Sequence, residues 1–141
     1  MFTGLCAGLN VKRLIPAILA VFAIIFVSDF IIHGKILEGA YRATANLWRS
    51  DAEMKGQCIW MLLGQILAAK FFTILFAKGY EGKGPMEGVR FGMLAGVFYV
   101  SHYFIQFAVT PLPRSLFLAW VTSGMIQMIL CGIVASLVYK K

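Results

Sequence analysis

The chain has 141 residues, 60% of them hydrophobic and 13% charged, with a formal net charge of +7 and a mean hydropathy of +0.82. A soluble fold of this size buries only about 70% of the surface its unfolded chain exposes. A composition this apolar therefore excludes a water-soluble globular domain and makes the lipid bilayer the expected surroundings. The thirteen Lys and Arg residues are spread over the ends of apolar runs rather than gathered on one surface, which argues against nucleic acid as a partner.

The first apolar run, residues 14–34, follows Lys12 and Arg13. It is longer than the apolar region of a signal peptide and ends in Ser28-Asp29-Phe30 instead of a small-residue cleavage site, so it reads as a retained span. The connection that follows is too long for a turn. Leu37, Tyr41, Thr44, Trp48 and Ala52 recur there at helical spacing, which predicts one amphipathic helix over residues 36–55 lying at the membrane interface. Tyr41 and Trp48 suit the headgroup level, and a partner-binding surface is the rival reading of the same stripe.

Residues 58–77, 91–109 and 115–139 supply three more runs of the roughly 20 residues needed to cross about 30 Å of hydrocarbon. The segment between the second and third spans, Gly79 to Gly88, is rich in glycine but lacks a preceding strand and a Gly-Lys-Ser/Thr triplet. It reads as a flexible turn and not as a phosphate cradle. Thr110-Pro111-Leu112-Pro113-Arg114 makes the last two spans an antiparallel hairpin. The expected fold is all-α: a single-domain integral membrane four-helix bundle over residues 1–141. Lys12, Arg13, Lys78, Lys83, Arg90, Lys140 and Lys141 outnumber Lys35, Arg42, Arg49, Lys55 and Arg114 on the other side. That bias places both termini in the cytoplasm of a bacterial inner membrane.

A faint internal repeat relates Phe26–His33 to Tyr99–Gln106, and Trp60, Gly64 and Ile66 to Trp120, Gly124 and Ile126. Such a duplication would relate two hairpins about an axis along the membrane normal; chance likeness between apolar helices is the alternative. The polar end of the first span (Ser28-Asp29…His33-Gly34), the Trp48-bearing loop and the Phe76–Gly82 exit from the second span resemble the small four-helix membrane proteins of bacteria gathered in families such as DUF1761. That resemblance implies an architecture and no activity.

Ionisable groups inside hydrocarbon cost from about 3 kcal/mol upward, so each must face protein, water or a partner charge. Asp29 and His33 share one face of the first span, and His102 and Gln106 lie one turn apart on the third. The expected arrangement is one polar cluster in which Asp29 accepts from His33 or His102. It would act either as interhelical glue or as a proton or ligand site. Lys70 lies near mid-membrane with Asp29 as the only intramembrane acid to pair with, snorkelling or a partner subunit being the alternatives. Gln65 and Gln127 are expected to make interhelical hydrogen bonds. Haem b held by His33 and His102 is a further reading, although the repeat register sets His33 about 5 Å farther out. No metal site or disulfide framework is expected from Cys6, Cys58 and Cys131.

Gly92 with Gly96, and Gly132 with Ser136, form small-xxx-small pairs that permit close helix approach, within the chain or between copies. With no nucleophile–base constellation or nucleotide fingerprint, the chain is not expected to be an enzyme. An accessory or scaffold subunit of a membrane complex leads the readings, ahead of a small transporter or ligand-binding protein. The expected partners are lipid and either further copies or other membrane subunits.

Overall fold

The computed structural model describes residues 7–141. Among these the chain forms α1 (Val11–Ile31), α2 (Glu38–Ala43), α3 (Asp51–Gly56), α4 (Cys58–Lys78), α5 (Pro85–Val109) and α6 (Arg114–Val138), and no strand. Four of these stretches are long and apolar enough to cross a membrane: Val11–Ile36, Cys58–Lys78, Pro85–Val109 and Arg114–Val138. The third begins at Pro85 instead of residue 91. Proline is pre-organised for a first helical position, and the polar turn Pro85–Arg90 winds before the apolar run starts. Cys6 lies outside the described residues; Cys58 is exposed and Cys131 buried, both as free thiols.

Leu14, Ala17, Val21 and Ile25 form the buried stripe of α1 at helical spacing, and α4 and α6 pack against that helix. The α5–α6 hairpin packs along most of its length, whereas α4 touches α5 and α6 only sparsely. The helices therefore follow one another in space as α4, α1, α6, α5, with a cleft between the first and the last. Large apolar side chains stand exposed on all four, including Leu19 (62%), Trp60 (65%), Phe98 (84%) and Leu118 (59%). Hydrocarbon, not water, is the solvent that suits such a surface.

Two apolar clusters hold the assembly at its two ends. One, at the end where α1 starts and α6 finishes, gathers Leu14, Val21, Phe76, Met128 and Tyr139. The Asn10 side-chain amide donates to the Lys140 carbonyl at 3.2 Å there, and the Asn10 N–H donates to the Tyr139 hydroxyl at 3.3 Å. The other joins Leu37, Leu112, Leu116 and Trp120 at the opposite end.

The connection after α1 departs from the single helix expected over residues 36–55. α1 runs on through a π-turn, Ile32–Ile36, and the chain then forms α2, a 3₁₀ turn (Ala45–Leu47) and α3. The break has local causes. The Thr44 hydroxyl donates back to the Ala40 carbonyl at 2.8 Å and accepts from the Trp48 indole N–H at 2.9 Å. Trp48 is extended, and Ser50 restarts the helix with a capping box that includes Glu53. Tyr41, Leu47 and Trp48 pack onto the second apolar cluster, so this face of the connection is turned to the protein.

The glycine-rich turn makes specific hydrogen bonds to the start of α5. Gly82 and Gly84 have φ of 78° and 74°, a region that glycine adopts without strain. Their turn brings the Glu81 and Lys83 backbone N–H groups to the buried Glu87 carboxyl, each donating at 2.7 Å. The loop does cradle a carboxyl group, but that group is the chain's own.

Candidate functional site

Asp29 sits on the α1 face that continues the buried stripe, where α4 and α6 both approach. The Gln65 side-chain amide on α4 donates to Oδ2 at 2.8 Å, and that of Gln127 on α6 donates to Oδ1 at 2.6 Å. The same Gln127 nitrogen lies 2.7 Å from Ser28 Oγ, whose hydroxyl donates to the Ile24 carbonyl at 2.6 Å. One carboxyl group thus ties three helices together. The expected interhelical role of the two glutamines holds, but the expected histidine partners of Asp29 do not: the rotation of each helix brings glutamine amides to it instead.

His33 lies in the π-turn and meets a different network. Its Nδ1 is 2.6 Å from the Tyr41 hydroxyl, and the Trp120 indole N–H donates to that hydroxyl at 2.8 Å. An indole N–H can only donate, so Tyr41 accepts from Trp120, and its own hydroxyl proton is free to pair with an unprotonated Nδ1 of His33. Tyr41 also stacks on His33 and meets Trp48 edge-on, with Trp120 packed against both Tyr41 and Trp48. Burial pushes the Tyr41 phenol above its ordinary range; the Trp120 hydrogen bond opposes the rise and the Asp29 charge adds to it.

Asp29 and His33 do share a small cavity with Tyr103, Ser123 and Gln127. Its volume of about 10 Å³ suits a single water molecule. His102 lines another space, the apolar cleft between α4 and α5, with Phe72, Phe91, Phe98 and Met128. The two histidines therefore do not face one cavity, which a bis-imidazole haem site requires. Gln106 donates to Thr110 Oγ1 at 3.1 Å at the C-terminal end of α5 and joins neither site.

Lys70 makes no ion pair among the described residues. It is exposed, and its ammonium lies 5.7 Å from the Phe71 ring centroid. The glycine pairs meet inside the chain: a Cβ on Gly92 would come within 2.6 Å of Ile129 Cα, and one on Gly96 within 3.3 Å of the Met128 side chain. Gly132 faces Gly88 and Gly92, and Ser136 approaches Gly88. Gly88 extends the stripe by one turn, and the sequence spacing Gly88-xxx-Gly92-xxx-Gly96 was the available signal for it.

The positions paired by the internal repeat have unlike surroundings. Trp120 is 9% exposed and Trp60 65%; Gly124 is packed against Tyr99, Val100 and Tyr103, whereas nothing lies within 4 Å of a Cβ placed on Gly64. Among the described residues no three His, Cys, Asp or Glu side chains converge as metal ligands would. Compared with known proteins, the chain matches no family model, no curated protein and no solved structure.

Proposed function

We propose that the protein is a non-catalytic accessory or scaffold subunit of a larger assembly in a bacterial cytoplasmic membrane, a four-helix bundle with both termini on the cytoplasmic side. The observation that carries this reading is the state of α4. Its buried residues all fall between Ala69 and Ala77, so the half from Cys58 to Ala68 contains no buried residue. Farther along, Ala68, Phe72 and Leu75 of α4 line an open apolar cleft of about 590 Å³. A helix half-used within its own chain and flanked by an unfilled cleft suits assembly with further transmembrane segments, which in lipid depends on packing contacts that lipid chains make less well.

The test is purification from the native membrane in mild detergent, followed by measurement of particle mass. A defined complex containing other membrane subunits is expected; a 15.6 kDa monomer in every mild detergent would overturn the reading. The shared Asp29–His33 cavity supports a second reading, a proton or small-cation site. Its test is Asp29→Asn, which on that reading abolishes a pH-dependent flux while the protein stays folded.

A further inference from the structure

α4 has 21 residues and, at about 1.5 Å per residue, is about as long as the hydrocarbon is thick. Lys70 lies close to its midpoint, eight residues or about 12 Å before Lys78 and twelve residues or about 18 Å after Cys58. Side chains leave a helix tilted toward its N-terminus, which for Lys70 is the more distant end. Snorkelling to either headgroup layer is therefore poorly served, toward one by direction and toward both by distance.

No acid of the chain answers the charge. Asp29 is level with Gln65, five residues or about 7.5 Å along α4 and about 140° around it, and both its oxygens already accept an amide proton. Glu38, Asp51, Glu53, Glu81 and Glu87 all lie outside α4 and at the ends of the molecule. A second copy offers the same acids, so an answering carboxylate would have to come from another polypeptide.

The face around Lys70 has the character of a helix-packing surface. Near the terminal end it carries Ile74 and Ala77, both buried within the chain. Continued past Lys70 it carries Ile66, Leu63 and Ile59, exposed by 43%, 42% and 64%. Ile59, Leu63, Ile66 and Lys70 follow the four-three-four spacing of a coiled-coil seam, in which one polar position fixes partner and register.

We propose that this face docks a transmembrane helix of a different subunit, apolar along the seam and presenting an Asp or Glu carboxylate to Lys70 at mid-membrane. The inference rests on the accessory-subunit reading and names its partner chemistry. The probe is a fluorescent Leu/Ala transmembrane peptide with one central Asp, mixed with the labelled full-length protein in phosphatidylcholine vesicles and followed by energy transfer. Association about tenfold tighter than for an all-apolar peptide is expected, lost in Lys70→Gln. In Lys70→Asp the preference should transfer to a peptide with a central Lys. Equal association by Lys70→Gln overturns the inference, as does a preference that follows added phosphatidylglycerol instead of the peptide carboxylate; the latter would identify a lipid phosphate as the partner. In the native membrane, a wild-type complex whose mass survives Lys70→Gln unchanged would sink this inference and leave the accessory-subunit reading standing, whereas a monomeric wild type would sink both.

Discussion

Each oxygen of Asp29 accepts from one glutamine, so the effect of a substitution follows from whether the amides keep an acceptor. Asp29→Asn preserves one oxygen, and a glutamine can turn its amide to present oxygen to the NH₂ group of the introduced asparagine, so a folded protein with a small loss is expected. Asp29→Leu strands two donors inside hydrocarbon and should destabilise by about 1 to 3 kcal/mol. Thermal unfolding in detergent measures both; equal loss for the two variants would show that the amide contacts contribute nothing. The Tyr41 hydroxyl has a similar place about one turn beyond Asp29, and Tyr41→Phe leaves both Trp120 Nε1 and His33 Nδ1 without their partner, a loss of about 1 to 3 kcal/mol. Because the Tyr41 pKa is raised on folding, the stabilising neutral form is fully present below the ordinary value of 10.0 and is lost as pH rises through the higher folded value. The stability difference between wild type and Tyr41→Phe should therefore shrink only in strong alkali, and a difference that disappears near neutral pH would contradict this. That Asp29, Gln65 and Gln127 need partners was legible, since polar groups in an apolar run must be satisfied. Their mutual choice was not, because depth counted along a sequence gives the level of a residue and not the rotation of its helix.

At the scale of elements, the α5–α6 hairpin depends on backbone approach. A methyl on Gly92 would meet the backbone of Met128 and Ile129, which can yield only by parting the helices. Gly92→Ala should cost about 1 to 3 kcal/mol by overpacking. Gly64→Ala adds its methyl to open space and should be neutral or slightly stabilising through helix propensity. Unfolding midpoints of the two variants give the comparison, and similar shifts would mean that α5 and α6 do not pack as closely as described. The glycine spacing was readable as a contact stripe, yet opening the span at residue 91 left Gly88 outside it. The connection between α1 and α4 was misread for a different reason. Its apolar periodicity is real, and Tyr41, Leu47 and Trp48 do share a buried cluster. The Ser50–Glu53 capping box, however, is a restart signal that a continuous helix cannot contain.

For the whole molecule, orientation in the membrane depends on which end carries more Lys and Arg close to the spans. Asn10 bonded to Tyr139 and Lys140 puts the start of α1 and the end of α6 at one end, together with the α4–α5 turn. Lys12, Arg13, Lys78, Lys83, Arg90, Lys140 and Lys141 gather there, against Lys35, Arg42, Arg49, Lys55 and Arg114 at the other. Acidic residues weigh little in this balance, so the partial pairing of Lys83 and Arg90 with Glu81 does not remove the bias. A reporter fused after Lys141 should therefore be active in the cytoplasm, with fluorescent protein bright and alkaline phosphatase silent. The margin is narrow enough to be shifted deliberately. Replacing Lys78, Lys83 and Arg90 with Gln leaves the α4–α5 turn without Lys or Arg and tips the count toward the opposite end, so a mixed or inverted readout is expected from that triple variant. A phosphatase-active fusion in the wild-type chain would reverse the assignment and put the α4–α5 turn outside, and a triple variant that stays fully cytoplasmic would show that features other than Lys and Arg set the orientation.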